Sequence, residues 1–301
     1  MKTVQVLNKH FQSVASYVCA KSPAELHTAR LLRRALTVLG LSGAALLAGC
    51  AAVQTTGSGA VGVDRKQYMS SLVSEQALVQ EAQKQYTSIV AQARAQGALD
   101  TNAAQTNRVR TIAQRLIGQV GVFRPDAAHW NWEVHVLNSD EVNAWCMPGG
   151  KIAVYSGMIN KLKLTDAELA AVIGHEMAHA LREHSREQVS QQVAADVGLS
   201  VLSALTGSAA TADLGGKLTE VMFTLPNSRT HETEADRMGV ELAARAGYDP
   251  RAAVTLWQKM GSLSAGNAPP EFLSTHPSAA SRTADLTRIA EQVMPLYEAA
   301  K

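Results

Sequence analysis

One stretch constrains this chain more than any other: Thr165-Asp166-Ala167-Glu168, followed shortly by His175-Glu176-Met177-Ala178-His179. The first four residues read as a capping box, in which a threonine and a glutamate three positions later satisfy the free N–H groups that open a helix. A helix is therefore expected from here through at least His184, with His175 and His179 four residues apart on one face. Side chains at that spacing stand about 5–6 Å apart, so both imidazoles can reach one point. Val172, Ile173, Met177, Ala178 and Leu181 place apolar groups around them. A buried histidine pair with a carboxylate needs compensation. A Zn²⁺ ion supplies it, taking three protein ligands and leaving a fourth place for water, which Glu176 can reach as a general base.

The third ligand has to come from elsewhere. Arg182 and Ser185 stand where a metzincin pattern would need glycine and histidine. His184, five residues after His179, lies about 140° around an ideal helix from it and is expected to be structural or exposed. Glu232-Thr233-Glu234-Ala235-Asp236 offers carboxylates at helical spacing. One carboxylate can complete the metal tetrahedron while another accepts a hydrogen bond from the second ring nitrogen of a ligating histidine. On spacing alone Glu232 and Glu234 both remain open as the ligand.

The basic character of the chain is confined to its start. Of 28 Lys/Arg and 26 Asp/Glu, residues 1–49 hold six basic residues and one acidic residue, leaving 22 against 25 and a net charge of −3 beyond them. Nucleic-acid binding is disfavoured for such a remainder. Arg30, Arg33 and Arg34 precede the apolar run Ala35–Ala48, which is too short for a comfortable membrane span and has the layout of a signal peptide. The run closes in Leu47-Ala48-Gly49-Cys50, which resembles a bacterial lipobox. The expected organisation is a lipoprotein signal peptide over 1–49, a lipidated Cys50 with a Gly/Ser-rich flexible tether over 50–66, and a folded domain over 67–301. Ala51 after the cysteine resembles the pattern of outer-membrane rather than inner-membrane lipoproteins. Cys146 is the one thiol left for the domain, where packing rather than chemistry is expected of it.

Helical spacing of Leu72, Val73, Val79, Ala82, Tyr86, Ile89 and Val90 predicts a helix from about Tyr68, and Val109 to Val120 a second. Trp130–Leu137 and Lys151–Tyr155 alternate as strands around a turn at Pro148-Gly149-Gly150. Residues 207–213 read as a loop. Further helices are expected over Arg229–Ala246, Ala252–Met260 and Ala279–Met294. The class is α+β, predominantly helical, with a small β-sheet.

Four ordered motifs give the chain a family resemblance: His175-Glu176-x-x-His179, Glu232-x-x-Ala235-Asp236, Asn143-Ala-x-x-x-Pro148-Gly149-Gly150, and Ser274-Thr275-His276-Pro277 followed by Arg282. Together they resemble the zincin-like zinc metallopeptidases related to HtpX, the CAAX prenyl endopeptidases and BepA, over roughly residues 68–290. Stand-alone periplasmic lipoproteins of the LoiP type are the nearest in layout. The resemblance implies His175, His179 and Glu232 as ligands of one Zn²⁺, Glu176 as general base and Asp236 as the partner of a ligating histidine. It assigns His276 and Arg282 to transition-state stabilisation, or His276 to gating. It also implies that Gly149, Gly150, Lys151, Ile152 and Ala153 form an edge strand that pairs with an extended substrate. The implied function is hydrolysis of peptide bonds in unfolded or misassembled envelope proteins, by an enzyme anchored through acylated Cys50 to the outer membrane of a Gram-negative bacterium and facing the periplasm. The alternative is a chaperone-like or binding lipoprotein whose metal site is closed and weakly active.

Overall fold

The computed structural model describes residues 50–204, 213–264, 270–277 and 281–301. Two strands come first, β1 (Cys50–Val53) and β2 (Gln67–Ser70), followed by helices α1 (Glu75–Ala95) and α2 (Ala103–Ile117). Strands β3 (Glu133–Leu137), β4 (Ala144–Met147) and β5 (Lys151–Tyr155) form the main sheet. The remaining helices are α3 (Ser156–Leu162), α4 (Asp166–Leu181), α5 (His184–Ala204), α6 (Leu214–Phe223), α7 (Arg229–Arg245), α8 (Ala252–Ser264), α9 (Glu271–Thr275) and α10 (Arg282–Ala300). The architecture is α+β and predominantly helical. Among the described residues no helix is long and apolar enough to cross a membrane.

Helix α4 is the axis of the molecule. Its capping box is complete: Thr165 Oγ1 accepts from the Glu168 N–H and Glu168 Oε2 accepts from the Thr165 N–H at 2.8 Å. Every residue from Glu168 to Leu181 is buried, because α2, α7, α8 and β4 surround the helix. Helix α7 approaches it most closely at Gly174 and Gly239. A Cβ on Gly239 would lie 2.7 Å from the His175 amide nitrogen, so only glycine lets the two backbones touch. That contact sits one residue from His175 and one helical turn from Asp236, and it brings the two acid- and histidine-bearing helices within side-chain reach.

The sheet order is β3-β5-β4, with β3 parallel and β4 antiparallel to β5. Its two faces are both covered. Ala144, Cys146, Ile152 and Val154 join the core around α4, whereas Trp145, Met147 and Ala153 pack with Val73, Leu78 and Tyr86 of the α1 side. Burial pushes the Cys146 thiol well above its ordinary pKa, consistent with packing.

Four expectations need correction. Residues 54–66 are not a free tether: β1 pairs with β2, the Gly57 N–H donates to the Phe123 carbonyl at 2.7 Å, and Val61 and Val63 enter the core. Two valines and the pairing of Cys50–Val53 outweigh the flexibility of the intervening glycines. The first helix begins at Glu75, capped by Ser74, because Gln67–Ser70 is spent on the hairpin. Lys151–Ala153 is no edge either. It belongs to the central strand, and among the described residues the outermost strand on that side of the sheet is β4. Gly149 and Gly150 have φ of 79° and 81° and shape the β4–β5 turn, and Lys151 is buried on Glu133 at 2.7 Å. Finally, α4 stops at Leu181. Glu183 adopts a left-handed φ of 51°, and the chain restarts as α5 at His184. The expected loop over 207–213 lies outside the described residues apart from Asp213, the cap of α6.

Candidate metal centre

Helix α4 supplies His175, Glu176 and His179, and α7 supplies Glu232 and Asp236. His276 follows α9 and Arg282 opens α10. All seven side chains are buried. The Nε2 atoms of His175 and His179 face each other at 3.1 Å, and Glu232 Oε1 lies 3.4 Å from His179 Nε2. Ligand atoms of His175, His179, Glu232 and His276 all lie within 4.8 Å of one another.

What stands behind each imidazole decides which nitrogen faces the centre. His175 Nδ1 is 3.0 Å from Asp236 Oδ1, so its N–H donates there and its Nε2 lone pair is left for the centre. Arg282 closes this side, with Nε 2.7 Å from Asp236 Oδ2, Nη1 2.9 Å from Glu232 Oε2, and its guanidinium 3.3 Å above the Trp257 ring. This arginine therefore balances the charge of the two carboxylates.

His179 is backed by a residue that the sequence reading set aside. His184 Nδ1 lies 2.9 Å from His179 Nδ1, and His184 Nε2 lies 3.0 Å from Glu234 Oε2. Burial and the neighbouring His231 hold the His184 pKa down at about 3, so the ring is neutral at pH 7. Its one N–H goes to the Glu234 carboxylate, its Nδ1 accepts from His179, and His179 Nε2 is left as a lone pair. The helix break at Glu183 makes this contact, since a continuous helix would carry His184 away. Glu234, open as a ligand on spacing, is thus engaged by His184, Arg182 and Arg65 outside the ligand set.

Two imidazole lone pairs converging beside a buried carboxylate are a donor set that calls for a cation. Zinc, with its preference for imidazole and carboxylate in a tetrahedron, fits it. Burial raises the Glu176 carboxyl above its ordinary pKa, against the opposing pull of His276 and His175. Among the described residues its Oε1 has no hydrogen-bond partner, and it lies 3.5 Å from His276 Nε2. Glu176, His179 and His276 line a cavity whose other walls include Asn143, Ala144 and Trp145 beside β4, and Val221 and Phe223 of α6. Phe272 stacks on His276 with ring centroids 4.3 Å apart and fixes its orientation.

The sequence model of peptidase family M48 matches residues 103–290, which contain every one of these groups except Arg65. The chain belongs to peptidase family M48. Peptidases of this family are zinc-dependent, and the buried His/Glu cluster is a group that could hold the metal. The mitochondrial metalloendopeptidase OMA1 of Arabidopsis thaliana is 40% identical over 169 residues, 56% of this chain and 34% of that protein. The human metalloendopeptidase OMA1 is 36% identical over 186 residues, 58% and 35% of the two chains. The beta-barrel assembly-enhancing protease of Escherichia coli is 29% identical over 220 residues, 69% and 43% of the two. The chain thus spans between 34% and 43% of the length of these three relatives.

Proposed function

We propose that this chain is a zinc endopeptidase anchored in the outer membrane through acylated Cys50, which faces the periplasm and hydrolyses peptide bonds in unfolded or misassembled envelope proteins. The observation that carries the reading is the Glu176 carboxylate, unpartnered at Oε1 among the described residues and lining a cavity with His179, whose Nε2 faces that of His175 at 3.1 Å. His175, His179 and Glu232 would hold zinc, which supplies Lewis acidity toward a carbonyl and makes a water more acidic. Glu176 then takes a proton from the attacking water and returns it to the leaving amine, a role suited to a carboxyl whose pKa burial has raised. The outer edge of β4, at Ala144–Met147, which pairs with no further strand among the described residues, would offer backbone groups to an extended peptide, which gives affinity with little sequence selectivity. Trp145, Val221 and Phe223 favour an apolar side chain beside the cut.

Support for an envelope substrate comes from the name of one relative, the beta-barrel assembly-enhancing protease of Escherichia coli. The arginines, apolar run and Leu47-Ala48-Gly49-Cys50 support the anchor. The test is protein beginning at residue 50, incubated with unfolded casein with and without chelator, with metal content measured. Zinc-dependent cleavage is expected; undiminished cleavage after complete zinc removal refutes the reading. For the anchor, Cys50→Ala is expected to abolish acyl labelling in cells, and persistent labelling would refute it.

A second reading is favoured by His276. Its Nδ1 lies 3.0 Å from Glu232 Oε1 and 3.3 Å from His175 Nε2, so a fourth protein donor stands where water must enter. In this reading the resting site is closed, with weak activity until the segment carrying His276 moves. Greater casein cleavage by His276→Ala than by the parent would favour it.

A further inference from the structure

We propose that Arg65 is a positioning residue for the zinc ligand His179, so that the segment between Cys50 and α1 completes the metal site from outside the residues matched by the family model. The proposal rests on the zinc site described above and concerns a residue 38 positions before the family match begins at 103.

Arg65 bridges two helices. Its Nη1 and Nη2 lie 2.7 and 2.8 Å from the two oxygens of Glu187 on α5, and its Nε and Nη2 lie 2.8 and 3.1 Å from the two oxygens of Glu234 on α7. A planar guanidinium can hold two carboxylates at once in fixed orientation, which a lysine ammonium cannot. The neighbouring chain reinforces it. Gln67 Nε2 donates to Glu187 Oε2 at 2.9 Å and to the Arg182 carbonyl at 2.6 Å, and Arg182 Nη2 donates to the Arg65 carbonyl at 2.9 Å.

From Arg65 the path to the metal ligand has three hydrogen bonds: Arg65 to Glu234, His184 Nε2 to Glu234 Oε2 at 3.0 Å, and His179 Nδ1 to His184 Nδ1 at 2.9 Å. Each fixes the next by donor and acceptor complementarity. An oriented Glu234 keeps the His184 proton on Nε2, and His184 Nδ1 must then accept. That acceptor keeps the His179 proton on Nδ1, so His179 Nε2 is free for zinc. If Glu234 turns away, His184 can carry its proton on Nδ1, two donors meet, and His179 is driven toward the tautomer that puts a proton in the metal's place.

The test compares Arg65→Ala and Arg65→Lys with the parent, all beginning at residue 50. The readouts are zinc affinity by chelator competition, the visible absorption spectrum of the cobalt-substituted protein, and thermal midpoint of the apoprotein. Arg65→Ala is expected to weaken zinc binding about tenfold, the low end for a partner outside the ligand set, and to shift the cobalt bands. Arg65→Lys, which keeps the charge and fold but loses the bridge, is expected to fall between. Gln292→Ala serves as control: it removes another contact of the same segment, the 2.6 Å bond to the Ala60 carbonyl, and is expected to leave zinc affinity unchanged. Parental zinc affinity and cobalt bands in Arg65→Lys, or in a folded Arg65→Ala, would overturn the proposal while the zinc reading stands. Failure of the parent itself to take up zinc would overturn both.

Discussion

The two histidines that project from one face of α4 are held from behind in different ways. His175 donates straight to an aspartate, Asp236, whose charge is balanced by Arg282. His179 donates to a neutral imidazole, His184, and meets a carboxylate only one residue further out, at Glu234. A direct carboxylate raises the basicity of its histidine and fixes its ring in one step. An intervening imidazole fixes the tautomer as firmly but passes on less charge. The His175 side is built entirely from family motifs, whereas the His179 side depends on a helix break and on a segment outside the family match.

The substitution expected to do most damage breaks both sides together. Gly239→Ala would drive a methyl into the His175 backbone at the α4–α7 contact. It is expected to cost about 1–3 kcal/mol of stability, as overpacking does, and to abolish stoichiometric zinc. Urea unfolding and metal analysis check both. Next come the two partners themselves. Asp236→Asn is expected to weaken zinc binding about 100-fold and His184→Gln about tenfold, the two ends of the range for such partners. Chelator competition measures each, and an equal or greater loss in His184→Gln would overturn the ranking.

The smallest effect should come from Glu168→Gln, which weakens the cap of α4 without touching either side. It is expected to leave zinc affinity alone and to cost about 1 kcal/mol at pH 7. Burial works to raise the Glu168 carboxyl, yet Lys259 and the Thr165 N–H outweigh it and hold its pKa below the ordinary value. The unfolded chain therefore takes up this proton first as pH falls. The parent's advantage is full above the ordinary value near 4.5 and is lost as pH drops through the lowered one. Urea titrations at pH 7 and near pH 3 should show the two proteins converging.

The α4 helix and its metal face were legible because local rules write them: a complete capping box, histidines four apart, and apolar neighbours. The carboxylates of α7 were legible as a group. Their division between ligand, His175 partner and His184 partner depends on how α7 crosses α4, which spacing along α7 does not encode. Strand β4 escaped because Ala144–Met147 is buried on both faces and shows no alternation. The edge was misassigned to Lys151–Ala153 because strand order follows from pairing β5 with the distant β3. His184 was missed because Glu183 turns left-handed without a glycine or proline to announce it. In residues 54–66 the glycines suggested freedom, while Val61, Val63 and Arg65 were the residues that bind the segment down.

The central claim is that Glu176 acts on a water at a site where His175, His179 and Glu232 hold zinc without it. The most direct measurement compares Glu176→Gln with the parent, both beginning at residue 50, for zinc content and for cleavage of unfolded casein. The account predicts one zinc per chain in both proteins and a loss of cleavage of about 100-fold or more in the variant, the scale of a lost general base. Equal cleavage by the zinc-loaded variant would contradict it.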